Sequence, residues 1–288
     1  MIPTAFDYQR ATSLDDAVAK LASANGNAKL IAGGHSLVPL MKFRLSEPQV
    51  LIDIARIPGL SGIREKDDKI EIGAGTVYHD VATSALLHER CPVVSDAAAE
   101  IGDPQVRNRG TLGGSLAHAD PSADYPAVML AVDADIHVKG PKGWRVAKAH
   151  EFFKDLFTVD LAPDEIITGV QFAPVRVAAY AKLRQRASHY AIVGVAAALE
   201  VSNGRIRFAR IGLTGAGSYA TRLTNVEEAL AGQALSKRTI DGAAKLAGID
   251  LRAVGADIHA SAEYRRAMIP VFTRRALERA LARASSAA

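Results

Sequence analysis

Two glycine pairs, each within a short loop of small and hydroxyl-bearing residues, have the residue types and spacing best suited to ligand chemistry. The first loop reads Ala32-Gly33-Gly34-His35-Ser36-Leu37, and the second reads Thr111-Leu112-Gly113-Gly114-Ser115. Glycine permits positive φ and lets backbone N–H groups come close to an anion. Two such loops, far apart in sequence, suit a long ligand that contains a diphosphate. The pattern therefore predicts a dinucleotide-binding protein.

The elements around each loop must hold it in place. Leu30–Ala32 is predicted to be a buried strand and Leu37–Leu45 a helix, with Ser36 as its N-cap. A strand-to-helix connection adds the positive end of the helix dipole to an anion site. The second loop leads towards a helix near Ser122–Ala131. Taken alone, either loop could equally be a tight helix start, and it is the pair that favours a cofactor.

The first half of the chain mixes strand and helix patterns. We predict strands at Phe6–Arg10, Val50–Ile54 and Ile166–Phe172, hairpins at 63–73 and 136–148, and helices at Ala17–Ala22, Thr76–Leu87 and Val93–Ile101. After Pro174 three strands come first and three helices follow. The strands are Ala178–Arg184, Ala191–Val201 and Arg205–Leu213, and the helices are Asn225–Leu230, Lys237–Leu246 and Ala262–Ala284. The fold class is therefore α+β, with domains expected at 1–176 and 177–288.

Composition excludes several classes of protein. The 288 residues carry a formal charge of only +4, and the basic residues near the end lack aromatic interleaving, so nucleic acid is not an expected partner. The single cysteine, Cys91, excludes an intramolecular disulfide and a four-cysteine metal site. No signal peptide or transmembrane segment is apparent, which predicts a cytoplasmic protein. The eight histidines show no metal-ligand spacing.

A third motif, Asp120-Pro-Ser-Ala-Asp124, follows the second glycine loop. Asp120 before Pro121 is typical of an N-cap with proline at the first helical position, so a structural role is at least as well supported as a ligand contact. In order and spacing, the three motifs resemble the FAD-binding (medium) subunit of molybdenum hydroxylases, a group that includes the carbon monoxide dehydrogenase medium subunit. The resemblance covers essentially the whole chain. It implies a two-part FAD-binding domain of the PCMH/vanillyl-alcohol-oxidase type and a smaller α+β C-terminal domain.

The resemblance also implies roles for individual residues. Both glycine loops would wrap the FAD diphosphate, with hydroxyls at Ser36, Thr111 and Ser115 as further donors and His35 beside them. The family commonly has asparagine where this chain has Ser115. Asp124 would accept hydrogen bonds from the ribose or ribityl hydroxyls.

Two residues of the second half complete the expected site. Tyr190 would pack over the isoalloxazine ring, although a core tyrosine beside a strand is nearly as well supported. Lys182 would stabilise negative charge on the reduced flavin, although a solvated edge-strand lysine is the simpler interpretation.

Partners follow from the same resemblance. Two [2Fe–2S] clusters need several thiolates each, and one cysteine cannot supply them. The chain is therefore expected to be an oxidoreductase subunit that works with an iron–sulfur small subunit and a molybdopterin large subunit, as a doubled heterotrimer. Two alternatives stay open: a free-standing FAD-dependent oxidoreductase, and a module that binds a phosphorylated ligand without redox chemistry.

Overall fold

The computed structural model describes residues 2–286, and it begins with a small parallel sheet. Its three strands run in the order β1-β3-β2. They and their connecting helices are β1 (Asp7–Arg10), α1 (Leu14–Ser23), β2 (Ala28–Ile31), α2 (Leu37–Lys42) and β3 (Val50–Asp53). The Ser13 hydroxyl caps α1 by accepting from the Asp16 amide. Ser36 precedes α2 as predicted, but its side chain makes no capping hydrogen bond, because its backbone is already helical at φ −103° and ψ −50°.

A second, antiparallel sheet has five strands in the order β4-β5-β10-β6-β7. Both predicted hairpins are confirmed by its pairing, β4 with β5 and β6 with β7. The bounds are β4 (Ile63–Lys66), β5 (Lys69–Gly73), β6 (Asp135–Gly140), β7 (Gly143–Lys148) and β10 (Ile166–Phe172). A short pair, β8 (Phe153–Asp155) and β9 (Thr158–Val159), lies outside this sheet.

Seven helices lie between the strands of this first unit. They are α3 (Tyr78–Ala82), α4 (Ala85–Arg90), α5 (Pro92–Glu100), α6 (Pro104–Arg107), α7 (Leu112–His118), α8 (Asp124–Ala131) and α9 (Ala149–Phe152). The prediction of one helix over Thr76–Leu87 is wrong. The chain breaks at Thr83-Ser84, because the Ser84 hydroxyl accepts from the Leu87 amide and begins a new helix.

The third sheet belongs to the second half of the chain and confirms its three predicted strands. It runs in the order β11 (Val177–Arg184), β12 (Ala191–Ser202), β13 (Arg205–Thr214) and β14 (Thr221–Arg222), all antiparallel. The helices that follow are α10 (Thr224–Leu230), α11 (Lys237–Ala244) and α12 (Ala262–Ser286). The predicted C-terminal domain extends to Ala288, and its last two residues lie outside the described part. The α+β class is confirmed.

Helix α8 joins the two halves. All eight of its residues are buried, because it lies between the helices of the first unit and the third sheet. A Cβ on Gly212 of β13 would meet the Ala127 carbonyl, with the Ala127 Cα 3.0 Å away, so only glycine lets helix and strand approach this closely. The opposite face of the sheet packs on α10 and α12, and α11 packs on these two helices.

Candidate flavin-binding site

The two glycine loops meet in space, although their glycine pairs lie 80 residues apart in the sequence. Ala32 follows β2, and Gly33 lies against the segment that precedes the second loop. A Cβ on Gly33 would collide with the Arg109 carbonyl and lie 2.9 Å from the Gly110 Cα. The predicted convergence of the loops therefore has a direct structural cause, a backbone-to-backbone contact that admits no side chain.

The first loop presents a run of unused backbone donors. Among the hydrogen bonds of residues 2–286, none uses the amides of residues 33–37. Gly34 has φ +77°, a conformation that glycine adopts freely and that turns the chain between β2 and Leu37, the first residue of α2. Consecutive amides around such a turn form a concave binding site for an anion.

The second loop is built differently from the expectation. Its amides already have acceptors: Leu112 donates to the Thr76 carbonyl (3.0 Å) and Gly113 to the Ala74 carbonyl (2.8 Å). Gly114 donates to the Thr111 hydroxyl oxygen (3.2 Å), and Ser115 to the Thr111 carbonyl. Within the chain these glycine amides are therefore already paired, and their contact with phosphate stays a prediction. Its remaining donors are the hydroxyl hydrogens of Thr111 and Ser115, and Ser115 lies beside the Tyr78 hydroxyl.

Asp120 lies in a turn, not at a helix start. Its Oδ1 accepts from the Ser122 amide (2.8 Å), and α8 begins only at Asp124. The N-cap interpretation is wrong because residues 121–123 are held by the third sheet and do not form a first helical turn. The Thr214 hydroxyl of β13 donates to the carbonyls of Pro121 and Ala123, at 2.8 and 2.7 Å, and the Ala191 amide donates to the Ser122 carbonyl at 3.1 Å. Ala123, not Asp120, is the N-cap of α8.

Asp124 is buried and paired with Lys182. The Lys182 ammonium lies 2.9 Å from one Asp124 oxygen and 3.1 Å from the other, and the Tyr180 hydroxyl donates to the same carboxylate. Burial raises the pKa of Asp124, while Lys182 and Tyr180 act in the opposite direction. The role of Asp124 towards ligand hydroxyls stays a prediction.

Lys182 is not a solvated edge lysine, even though β11 is an edge strand. Its side chain is 0% exposed. Besides Asp124, the ammonium donates to the carbonyls of Glu100 and His189, both at 2.8 Å. All three protons therefore have acceptors, and the cation links α5, α8 and the loop after β11.

Tyr190 is not a core residue either, since it is 42% exposed. Desolvation raises its pKa to about 12, with Asp120 and Asp124 contributing and a hydrogen bond from Ser36 opposing. Tyr190 thus lies beside both the first glycine loop and the Asp120 turn. It lines a pocket of about 170 Å³ together with Asp120, Ser122, Gln185, Ser188, Ala191, Ile192, Asp257, His259 and Arg265.

His35 lies at the rim of the first loop. Its ring Nε2 is 3.3 Å from the carbonyl of Gln105, a residue of α6, and His35 is exposed. Sequence reasoning missed three further residues that support the site: Tyr78, Tyr180 and His189. No local pattern singles them out, because each acts through a contact with a distant segment.

Within residues 2–286 there is no group of three or more His, Cys, Asp or Glu side chains placed to hold a metal ion.

Known proteins are similar to this chain over nearly its whole length. Residues 4–174 match the family model described as the FAD binding domain in molybdopterin dehydrogenase, and residues 178–280 match the CO dehydrogenase flavoprotein C-terminal domain. The chain is 39% identical over 286 residues to the carbon monoxide dehydrogenase medium chain of Hydrogenophaga pseudoflava, covering 98% of this chain and 99% of that one. It is 41% identical to the 6-hydroxypseudooxynicotine dehydrogenase complex subunit alpha of Paenarthrobacter nicotinovorans, covering 99% and 97%.

A solved structure agrees over the same length. Carbon monoxide dehydrogenase from Hydrogenophaga pseudoflava, in a form that lacks the Mo-pyranopterin moiety, superposes with a TM-score of 0.94 at 40% identity and covers 98% of this chain and 99% of that chain. The fold and site define a flavoprotein of the oxidoreductase class. The chain belongs to the family of FAD-binding medium subunits of molybdenum hydroxylases, and its cofactor is FAD.

Proposed function

We propose that this chain is the electron-transfer subunit of a multi-subunit molybdenum hydroxylase. It takes electrons from a [2Fe–2S] partner subunit and passes them to an external acceptor, in the cytoplasm. FAD, when bound, supplies the redox chemistry that no amino-acid side chain of this chain provides. Residues 1–176 serve as the FAD-binding domain and residues 177–288 as the C-terminal domain.

The observation that carries this proposal is the set of unused amides at residues 33–37, beside the hydroxyls of Thr111 and Ser115. These donors fit a diphosphate, since a site built from N–H and O–H groups favours an anion and the Gly33 contact leaves the loop no side chain to block it. The Tyr190 ring is half-exposed and lies near Ser36, which supports the proposal that it covers the flat ring system of the flavin.

Asp124 and Lys182 have complementary parts in the proposal. The carboxylate accepts from sugar or ribityl hydroxyls, and the ammonium balances the buried negative charge as the redox state changes. Because Lys182 already donates to Asp124, Glu100 and His189, its influence on the flavin is electrostatic and acts through a fixed position.

Partners are required by this function. A sequence with one cysteine cannot hold two [2Fe–2S] clusters, and the iron–sulfur and molybdopterin centres must come from other chains. We propose a doubled heterotrimer of small iron–sulfur, medium flavin and large molybdenum subunits. The named relatives oxidise different compounds, which is consistent with substrate choice being made in the large subunit.

Expression of this chain alone and with its two partner subunits tests the proposal. Alone, it should bind FAD and release all yellow colour on acid precipitation, because the contacts are polar and non-covalent. It should oxidise neither carbon monoxide, aldehydes nor N-heterocycles, whereas the assembled complex should bleach its flavin when given its substrate. Enzymatic turnover by the isolated chain would replace this proposal with a free-standing FAD-dependent oxidoreductase.

A further inference from the structure

The loop that carries Tyr190 is fixed by its own hydrogen bonds. The Gln185 side-chain oxygen accepts from the amides of Ala187 and Ser188, at 2.6 and 2.5 Å. The Gln185 amide donates to the Tyr190 carbonyl (2.9 Å), and the His189 amide donates to the Gln185 carbonyl (3.0 Å). The segment Gln185–Tyr190 is therefore a closed turn with little freedom to change shape.

His189 holds a conformation that needs external support. Its φ is +61°, in the left-handed region that non-glycine residues adopt at an energetic cost. Two contacts fix it: its ring Nδ1 lies 2.7 Å from the Gly102 carbonyl, and its own carbonyl accepts from the buried Lys182 ammonium at 2.8 Å. The ring contact ties the loop directly to the first unit, and the carbonyl contact does so through Lys182, which also donates to Glu100 and Asp124.

The receiving segment is itself fixed. The Gly102 carbonyl also accepts from the Arg107 guanidinium (3.0 Å), which donates in addition to the Ile101 carbonyl (2.9 Å). Arg107 ends α6, and the chain continues directly through Arg109 and Gly110 into the second glycine loop. His189 thus connects the Tyr190 loop to the same backbone against which Gly33 packs.

We propose that His189 is a positioning residue, which holds the Tyr190 ring over the flavin by bridging the loop to the Gly102 carbonyl through its ring Nδ1–H. This inference rests on the proposed function, because it assumes FAD in the site. The ring does not contact the ligand in this assignment, and its part is to set the distance between Tyr190 and the two glycine loops.

Two substitutions distinguish the contribution of the His189 ring from that of its left-handed backbone conformation. His189→Gly adopts positive φ without strain but removes the imidazole, so the bridge is lost while the turn is kept. His189→Asn also tolerates positive φ and carries an amide N–H near the position of Nδ1, so it should rescue the bridge. If only the left-handed backbone mattered, His189→Gly would behave as the wild type.

Flavin fluorescence of the FAD-loaded chain is the readout, since an aromatic ring stacked on a flavin quenches its emission. Absorbance should show that the variants keep the FAD occupancy of the wild type. We then expect flavin emission to rise several-fold in His189→Gly and by a similar factor in Tyr190→Leu. In His189→Asn the emission should stay near that of the wild type. The double variant His189→Gly/Tyr190→Leu should rise no further than Tyr190→Leu. His88→Ala, which removes a ring contact from α4 to the Ala82 carbonyl of α3, is the matched control and should leave the emission unchanged.

Each contrary result has a defined meaning. Unchanged emission in His189→Gly, or a rise in the double variant that equals the sum of the single effects, overturns the inference because Tyr190 would then not depend on His189. A Tyr190→Leu variant with unchanged emission also overturns it. A wild-type chain that holds no flavin instead overturns the proposed function, so the two failures are distinguishable.

Discussion

Gly33 and Gly34 meet two different demands of the first loop. Only Gly34 uses positive φ, whereas Gly33 is needed because the backbone of Arg109 and Gly110 lies where a side chain would be. Gly113 resembles Gly33, since its Cβ would lie 2.9 Å from the Ala74 carbonyl. The sequence pattern shows that these positions are glycine. It does not reveal whether the glycine is needed for positive φ or for a close approach of two backbone segments.

Replacing Gly33 by valine should therefore empty the site. The new side chain pushes the two loops apart and disturbs the amides at 33–37, so we expect loss of bound FAD with a folded far-UV spectrum. The absorbance ratio of flavin to protein measures this. Gly242→Ala on α11, which meets nothing within 4 Å, is the control and should keep full flavin. Full flavin occupancy in Gly33→Val would contradict this prediction, because it would show that the backbone at Arg109 can move aside without loss of the site.

Removing Lys182 should lower the stability of the fold by an amount that depends on whether Asp124 is present. Lys182→Met leaves a buried carboxylate without its ion partner, which lowers the free energy of unfolding by about 3–5 kcal/mol. Combined with Asp124→Asn, the loss should be smaller than the sum of the single losses, because the neutral amide needs no counter-charge. Urea unfolding of the four proteins measures this, and additive losses would contradict the pairing.

Tyr190 should stay protonated well into the alkaline range. Desolvation raises its pKa from 10.0 to about 12, so the folded chain binds the phenol proton where an unfolded one releases it. We therefore expect flavin fluorescence to stay constant from neutral pH to pH 10. A transition near pH 10 that Tyr190→Phe abolishes would show an ordinary, solvated phenol.

At the scale of elements, α8 determines how the halves meet. It is buried on all sides, and its packing on β13 depends on Gly212. The sequence predicts a helix near Ser122–Ala131, but its true start at Asp124 depends on Thr214, which is distant in sequence. Likewise, the break between α3 and α4 rests on a single serine cap, which periodicity alone does not reveal.

Gly212→Ala tests the contact between α8 and the third sheet. The added methyl overlaps the Ala127 carbonyl, and overpacking of this kind costs about 1–3 kcal/mol. We also expect weaker FAD binding, because α8 begins at Asp124. Equilibrium urea unfolding and flavin titration measure the two effects. Gly217→Ala, where the nearest atom lies 3.4 Å away, should change neither by a comparable amount.

Over the whole molecule, the two predicted domains share a core. Alternate residues of β11 and β12, such as Tyr180 and Ala196, belong to the core of the first unit, while Ala179 and Val195 face the C-terminal helices. The sequence predicts the strands as buried because both faces are apolar. It cannot show which face meets which unit, since that depends on packing between segments far apart in the chain.

A shared core predicts unfolding in a single step. Trp144, the one tryptophan, reports on the five-stranded sheet, whereas far-UV circular dichroism reports on both halves. In urea the two signals of the apoprotein should change together, with one midpoint. Two separate midpoints would show that the halves unfold independently. Arg283→Gln should lower the common midpoint, because Arg283 of α12 pairs with Asp96 of α5 at 2.7 and 2.9 Å.

The pairing of Arg283 with Asp96 also has a consequence for biosynthesis. A ribosome releases α5 long before α12, yet α12 covers β11, the strand that carries Lys182 towards Asp124. While α12 is still in the exit tunnel, the nascent chain lacks the helix that packs on β11 and pairs with Asp96. We therefore expect stable loading with FAD only after α12 has left the ribosome and packed on the third sheet.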